Sequence, residues 1–214
     1  MSKKSITIID YNMGNARSVQ NALKKLNVEA KIVSKPKSLE NSCAIILPGV
    51  GSFKQAVENL KAKRLFQEIN TLVLDKHIPF LGICLGMQLI AQDSTENVLT
   101  KGFGWIKARV RRMDLEQQYR LPHVGWNQIE KRGNPVLLSR IENHTNYYFD
   151  HMYAFSCSNL SPVSSTVNYG NKAIISSIED GHIFGTQFHP EKSQLNGLRV
   201  LKAFTEFVWS NQQC

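Results

Sequence analysis

Residues 78–90 read IPFLGICLGMQLI and place one cysteine, Cys84, between two glycines, Gly82 and Gly86. The apolar run before Cys84 is typical of a buried strand, and the run after it is typical of a helix. Glycines at these positions permit the tight strand-to-helix turn of the G-x-S-x-G elbow, with cysteine replacing serine. A helix N-terminus favours the reactive thiolate. The pattern predicts a nucleophile, and taken alone it leaves a buried structural cysteine as an alternative.

The segments on either side of this elbow alternate between strand and helix patterns. Strand patterns occupy residues 5–10, 29–33 and 44–51. Helix patterns occupy residues 16–26, 53–75 and 85–92. Such alternation predicts right-handed crossovers between parallel strands. We therefore expect an α/β fold with a mostly parallel central sheet and helices on both faces.

The second half of the chain has a different pattern. After about residue 102, strand-like runs follow one another with short turns, at residues 104–113, 147–155, 164–170, 173–179 and 182–188. Short turns favour antiparallel pairing, so we expect antiparallel strands in the C-terminal half. A last helix pattern covers residues 195–209. Because no linker, repeat or change in composition divides the chain, we expect one domain over residues 1–214.

Charge and hydropathy argue against several classes of protein. The 214 residues include 26 Lys and Arg against 17 Asp and Glu, which gives a formal net charge of +9. The basic residues are scattered as short pairs without interleaved aromatics, so we expect a solvated surface and no nucleic-acid partner. No uninterrupted apolar stretch reaches about 18 residues, and we expect no membrane span.

The cysteines indicate the cellular compartment. They stand far apart with no C-x-x-C pair, at Cys43, Cys84, Cys157 and Cys214. The first ten residues, MSKKSITIID, lack the apolar core of a secretory signal. These features predict reduced thiols and a cytoplasmic location. Because the cysteines and histidines lack the spacing of zinc ligands, we expect no metal.

A candidate base for the thiol lies near the other end of the chain. Residues 186–193 read TQFHPEKS and place His189 and Glu191 two residues apart. In an extended strand such residues share a face, so the carboxylate can orient the imidazole. A structural histidine and an ordinary turn are the alternatives. Both become less plausible when an elbow cysteine precedes them in an α/β chain, because a thiol nucleophile needs an oriented base.

A glycine-rich turn, LPGVG at residues 47–51, ends the third predicted strand. Its backbone could place the N–H of Val50 beside Cys84. Together with the N–H of Leu85, this group would form an oxyanion hole. An ordinary βα turn is the alternative reading.

These three stretches, in this order, resemble the class I glutamine amidotransferases over nearly the whole chain. The resemblance implies the fold of that family, no cofactor, and a reaction in which a cysteine attacks the side-chain amide of glutamine. It implies that Cys84 is the nucleophile, His189 the general base and acid, and Glu191 its orienting partner. Gly51 and Gln88 would help to hold the glutamine.

Further segments resemble one branch of that family, which supplies ammonia to a (β/α)8-barrel cyclase subunit in histidine biosynthesis. They are IDYNMGN at 9–15, PHVGWN at 122–127 and YYFDHMY at 147–153. The resemblance implies a heterodimer in which Asn12, Trp126 and Lys192 face the cyclase. Asp150 and Met152 depart from the branch, which more often has an apolar residue and a serine at these positions.

Three other functions remain open at this point. A paralogue of this branch would supply ammonia to a partner in surface amino-sugar biosynthesis. A cysteine-dependent α/β-hydrolase would share the elbow, but its acid precedes its histidine along the chain, whereas Glu191 follows His189. A binding subunit with a relic site would not need Cys84, His189 and Glu191 together.

Overall fold

The computed structural model describes residues 5–211 and contains two sheets flanked by helices. The strands are β1 (Ser5–Ile9), β2 (Ala30–Val33), β3 (Ser42–Gly49), β4 (Phe80–Cys84), β5 (Ala91–Ser94), β6 (Thr100–Lys101), β7 (Ile106–Arg112), β8 (His123–Lys131), β9 (Thr145–His151), β10 (Tyr153–Ser156), β11 (Val163–Tyr169), β12 (Lys172–Asp180) and β13 (Ile183–Thr186). The α-helices are α1 (Ala16–Lys25), α2 (Phe53–Ala62), α3 (Leu65–Leu74), α4 (Leu85–Gln88) and α5 (Gln194–Ser210). Two short 3-10 helices cover Pro36–Leu39 and Pro190–Lys192.

The larger sheet has nine strands in the order β2-β1-β3-β4-β13-β12-β11-β8-β9. The first five are parallel and the remaining pairings are antiparallel. A second sheet of four strands has the order β10-β7-β5-β6. The expected α/β fold is confirmed, and β4 with its terminal cysteine lies centrally, between β3 and β13.

Helices cover both faces of the parallel strands, and the side chains of β3 show how. Ile45 and Leu47 belong to the buried cluster that includes residues of α2 and α3. Ala44 and Ile46 belong to the other cluster, with residues of α1 and α5. Because successive side chains of a strand point to opposite faces, a nearly continuous apolar run such as β3 is buried on both sides.

The single helix predicted over residues 53–75 is wrong. Arg64, with φ 59°, separates α2 from α3. Leu60 and Leu65 are both fully buried, although a five-residue separation in one straight helix would turn them about 140° apart. The break allows both helices to bury their apolar faces.

The helix predicted over residues 85–92 is also shorter than expected. It ends at Gln88, and β5 follows, paired with β6 and β7. The backbone N–H of Phe103 donates to the carbonyl of Leu89. The predicted strand run 147–155 is likewise divided at Met152, with β9 in the larger sheet and β10 in the smaller. In both places, pairing with distant strands overrides the local pattern.

The structure also bears on the expectations about membrane spans and cysteine thiols. Within residues 5–211, no helix is long and apolar enough to cross a membrane. Cys84 and Cys157 carry free thiols, which agrees with the expectation of reduced cysteines at these two positions. Cys214 lies outside the described residues.

Candidate active site

The elbow at Cys84 is built by close backbone contacts. Cys84 has φ 53° and ψ −106°, a conformation that a non-glycine residue rarely adopts. A Cβ on Gly82 would lie 2.5 Å from the carbonyl oxygen of Gly86, and a Cβ on Gly86 would overlap the carbonyl oxygen of Leu47. Both glycines are therefore required for the turn, and the cysteine is placed between the end of β4 and the start of α4.

The sulfur of Cys84 has one acceptor and one donor as neighbours. Its thiol donates to the carbonyl oxygen of Asp150, 3.8 Å away. The amide Nε2 of Gln187 donates to the sulfur at 3.6 Å. The residue is only 5% exposed, which is enough to contact the adjacent cavity.

His189 and Glu191 form a buried pair close to this sulfur. The imidazole Nδ1 lies 2.8 Å from Glu191 Oε1, and the two side chains are 1% and 2% exposed. The ring Nε2 is buried and has no hydrogen-bond partner among residues 5–211. Pro190–Lys192 forms a 3-10 helix, so the expected extended strand is wrong. The turn brings the carboxylate to the ring all the same.

The charges around His189 favour its protonated form. Burial lowers the pKa of His189, because a buried cation loses its hydration. Cys84 and Glu191 outweigh burial and raise this pKa from 6.5 to about 10. A histidine that holds its proton next to a thiol supports a thiolate–imidazolium pair.

The glycine-rich turn after β3 lies beside the elbow. Gly49 is the register partner of Cys84 in the parallel pair of β3 and β4. A Cβ on Gly49 would lie 2.9 Å from the Cβ of Leu85 and would overlap the hydroxyl of Tyr11. Val50, which follows Gly49, is 42% exposed. The two residues predicted for the oxyanion hole, Val50 and Leu85, therefore directly follow the ends of two neighbouring strands, β3 and β4.

A cavity of about 510 Å³ opens over these elements. Its lining includes five residues that the sequence analysis selected: Val50, Gly51, Cys84, Leu85 and Gln88. Other residues of the lining were not selected as site residues: Glu96, Asp150, His151, Met152 and Tyr153. A larger groove of about 680 Å³ near α1 and β2 contains none of the predicted site residues.

The strand order, the elbow and the buried His–Glu pair agree with what a comparison of sequences finds. Residues 7–206 match the family of class-I glutamine amidotransferases. The chain belongs to this family. In the part that the structure describes, no group of His, Cys, Asp or Glu could hold a metal ion.

Several relatives of this amidotransferase are similar over nearly their whole length. The imidazole glycerol phosphate synthase subunit HisH 1 of Campylobacter jejuni (strain RM1221) is 39% identical over 199 residues, which cover 93% of this chain and 98% of the relative. The subunit HisH 1 of Parasynechococcus marenigrum (strain WH8102) is 41% identical over 210 residues, covering 97% and 99%.

Solved structures share the fold at lower identity. A glutamine amidotransferase crystal structure has a TM-score of 0.73 at 20% identity and covers 95% of this chain and 98% of its own. The structure of PurLQS from Thermotoga maritima has a TM-score of 0.73 at 18% identity, with coverage of 96% and 99%. These similarities confirm the expected amidotransferase fold.

The sequence analysis of this amidotransferase did not select two buried histidines beside the cavity. His123 Nδ1 lies 3.1 Å from His151 Nε2, and His151 Nδ1 lies 2.9 Å from the carbonyl oxygen of Tyr153. Burial and the neighbouring His123 lower the pKa of His151 to about 3. Burial also lowers the pKa of His123. Both rings are therefore neutral at physiological pH.

Gln187 is a further residue that sequence reasoning missed, although it lies in the quoted stretch TQFHPEKS. Its side-chain amide donates to Cys84 Sγ. No pattern of residue types along the chain predicts such a contact. Glu96 was missed for a similar reason. Its Oε2 accepts a hydrogen bond of 2.7 Å from the backbone N–H of Phe53, which joins the loop after β5 to the start of α2.

The three residues expected to face a partner are exposed, but they do not form one contact set. Lys192 Nζ lies 5.2 Å from the centre of the Tyr148 ring, and Trp126 packs edge-on against the same ring at 6.0 Å. Asn12 instead accepts a hydrogen bond of 2.8 Å from Lys63. The structure thus brings Lys192 and Trp126 together around Tyr148 and places Asn12 with α2.

Proposed function

We propose that this chain hydrolyses glutamine to glutamate and ammonia through a thioester at Cys84, and passes the ammonia to a cyclase subunit of histidine biosynthesis. One observation carries the chemistry. The elbow cysteine opens to a cavity and is close enough to the buried His189–Glu191 pair to raise the pKa of His189. Near full-length identity of 35–41% to HisH subunits supports the pathway.

The first half of the reaction forms the thioester. The Cys84 thiolate attacks the side-chain amide carbon of glutamine, and a sulfur–carbon bond forms. The carbonyl oxygen becomes an oxyanion that accepts hydrogen bonds from the backbone N–H groups of Val50 and Leu85. Protonated His189 gives its proton from Nε2 to the amide nitrogen, the carbon–nitrogen bond breaks, and ammonia leaves.

The second half returns the enzyme to its starting state. His189, now neutral, takes a proton from water as the water oxygen attacks the thioester carbon. The sulfur–carbon bond breaks, glutamate leaves, and Cys84 is again a thiolate beside a protonated imidazole. Glu191 holds Nδ1 throughout and so keeps Nε2 directed to the reacting atoms. No step needs a cofactor.

Gly51 and Gln88 hold the substrate glutamine in this proposal. Both hydrogens of the Gln88 amide are used inside the protein, because Nε2 lies 2.9 Å from the carbonyl of Tyr153 and 3.2 Å from Gln187 Oε1. Gln88 therefore offers the substrate its Oε1, an acceptor for an N–H group. Gly51, with φ 99°, lines the cavity wall where a side chain would be strained.

The proposed partner is a (β/α)8-barrel cyclase subunit, which uses the ammonia to form imidazole glycerol phosphate and AICAR. Ammonia released to bulk water is protonated and no longer reacts as a nucleophile, so a cyclase docked over the cavity is required for efficient transfer. Trp126, Lys192 and Asn12 are exposed and available to such a partner. We place the complex in the cytoplasm and treat residues 1–214 as one domain.

The alternatives are not favoured. Relatives of this chain are named as HisH subunits, which argues against a partner in amino-sugar biosynthesis. The family match over residues 7–206 argues against an α/β-hydrolase. The deciding experiment is a glutaminase assay of the purified chain alone, with a purified histidine-pathway cyclase, and with a purified sugar-aminating partner. Strong stimulation by the cyclase is expected, and stimulation by only a sugar-aminating partner would overturn the pathway assignment.

A further inference from the structure

Gln187 is a fully buried polar residue that directly follows β13. Its backbone N–H donates to the carbonyl of Ser176 at 2.8 Å, so its main chain is held in place. Its side chain extends to the proposed nucleophile, with Nε2 3.6 Å from Cys84 Sγ. A side-chain amide presents either an acceptor oxygen or a donor nitrogen to a neighbour. The orientation of the Gln187 amide therefore decides whether the sulfur faces a hydrogen-bond donor or an acceptor.

The orientation of the Gln187 amide is fixed by the backbone carbonyl of Tyr153, because a carbonyl oxygen can only accept a hydrogen bond. Nε2 of Gln88 lies 2.9 Å from the carbonyl oxygen of Tyr153 and must donate to it. The same Nε2 lies 3.2 Å from Gln187 Oε1 and donates its second hydrogen there. Gln187 therefore uses its oxygen toward Gln88, and its N–H group points at Cys84.

The Tyr153 carbonyl, where this series of hydrogen bonds begins, accepts a second hydrogen bond. His151 Nδ1 lies 2.9 Å from the same oxygen of Tyr153. Since a carbonyl cannot donate, the neutral His151 ring donates from Nδ1. His151 and Gln88 thus both donate to the Tyr153 carbonyl oxygen. Through the hydrogen bond between Gln88 and Gln187, this oxygen fixes the orientation of the amide that contacts Cys84.

The donor matters because the sulfur also has an acceptor as a neighbour. The carbonyl oxygen of Asp150, 3.8 Å from Sγ, favours the protonated thiol. An N–H donor favours the thiolate, because a hydrogen bond to a charged acceptor is stronger than one to a neutral group. The Gln187 amide supplies such a donor, with Nε2 3.6 Å from the sulfur.

We propose that Gln187 is a further catalytic residue, which donates a hydrogen bond to the Cys84 thiolate as it attacks glutamine and again as it leaves the thioester. Gln88 and the Tyr153 carbonyl are its positioning partners. This inference rests on the proposed function for the glutaminase reaction, but the interaction itself exists in the resting protein. It can therefore be measured without glutamine.

The test is the rate at which iodoacetamide alkylates Cys84 at neutral pH, followed by mass spectrometry of peptides. Gln187→Glu keeps the size of the side chain and removes the donor, and Gln187→Met removes both polar groups at similar length. We expect alkylation of Cys84 to slow about tenfold to a hundredfold in both, the range for one hydrogen bond to a charged group. Cys157, a free thiol in the same digest, should react at an unchanged rate.

Steady-state kinetics of the complex with the cyclase give a second measurement. We expect kcat to fall by a similar factor and KM to change little, because Gln187 is not part of the cavity lining. Gln67→Glu, the same substitution on the exposed face of α3, controls for the added charge. Ammonia-dependent synthesis should be retained by the Gln187 variants, which would show that they are folded and bound to the partner.

Gln88→Leu tests the orientation argument even if neither Gln187 variant folds. It frees the Gln187 amide to rotate, so alkylation of Cys84 should slow, but less than in Gln187→Met. An unchanged alkylation rate in the folded variants, or a loss confined to KM, would assign Gln187 a packing role and overturn the proposal. If the wild-type complex lacked glutaminase activity, the proposed function would fail while the alkylation series still tested Gln187.

Discussion

The elbow at Cys84 and the turn at His189 contribute to the same candidate site but are held in different ways. Backbone contacts define the elbow, since a Cβ at Gly86 has no space beside the carbonyl of Leu47. Side-chain interactions define the turn, where a buried carboxylate 2.8 Å from Nδ1 orients the ring. The elbow should therefore respond to changes of shape, and the His–Glu pair to changes of charge.

The largest effect on activity is expected at the elbow from removal of the sulfur itself. Cys84→Ala should reduce glutamine-dependent synthesis to the background of the assay, because no other group can form the thioester. The complex should still use added ammonium salt, since the cyclase reaction needs only ammonia. Assays with glutamine and with ammonium salt in parallel measure both, and residual glutamine hydrolysis would remove Cys84 from the mechanism.

Adding a methyl group at Gly86 of the elbow should strongly lower the free energy of unfolding. Gly86→Ala forces a methyl group onto the Leu47 carbonyl, so we expect a loss of several kcal/mol in the free energy of unfolding, as in overpacked cores. Gly181→Ala is the matched control, because Gly181 has φ 60° and open space around its missing Cβ. Its cost should stay near 1 kcal/mol. Urea denaturation of both variants compares them, and equal losses would contradict the steric account.

A change of charge at the turn should be milder and should depend on pH. Glu191→Gln keeps a hydrogen-bond acceptor for Nδ1 but removes the charge, so kcat should fall about tenfold, against about a hundredfold to ten-thousandfold for His189→Asn. Equal losses in the two variants would mean that Glu191 does more than orient the ring.

The pH dependence follows from the raised pKa of His189. Its value of about 10, against 6.5 in an unfolded chain, means that the folded protein binds this proton more tightly. The resulting stabilisation is complete below pH 6.5 and is lost as pH rises through about 10. Glu191→Gln lowers this pKa, so its unfolding free energy should fall less between pH 6.5 and 10 than that of the wild type. Denaturation at several pH values measures the difference.

The smallest effect on the free chain is expected at Lys192, on the surface beside the turn. Its Nζ lies 3.9 Å from Asp150 Oδ2, and both side chains are more than one third exposed. Such exposed pairs contribute at most about 1 kcal/mol. Lys192→Ala should leave hydrolysis by the free chain nearly unchanged and reduce stimulation by the cyclase. Lys172→Ala, which removes a similar surface pair with Asp114, should change neither rate.

Asp150 contacts both the elbow at Cys84 and the surface cation Lys192. Its backbone oxygen contacts the sulfur of Cys84, and its side chain pairs with Lys192. Sequence comparison with the family marked Asp150 as unusual, but only the structure shows that one residue contacts both the nucleophile and the surface cation.

The amino-acid sequence by itself determined the features that depend on neighbours along the chain. The glycines around Cys84 indicated the elbow, the alternation of patterns indicated the α/β fold, and the HPE stretch indicated the base and its partner. The first two follow from local sterics and from repeats of two or 3.6 residues, so they can be seen without knowing what packs nearby. The third was indicated by residue type alone, since the extended strand expected there is a 3-10 helix.

The tertiary structure alone decided the features that depend on distant contacts. The helix predicted over 53–75 breaks at Arg64 because two apolar faces must be buried, and the helix after Cys84 ends at Gln88 because residues 91–94 pair with other strands. Gln187 reaches Cys84 across 103 positions of the chain. Such contacts are set by how strands are ordered in a sheet, and no local pattern encodes that order.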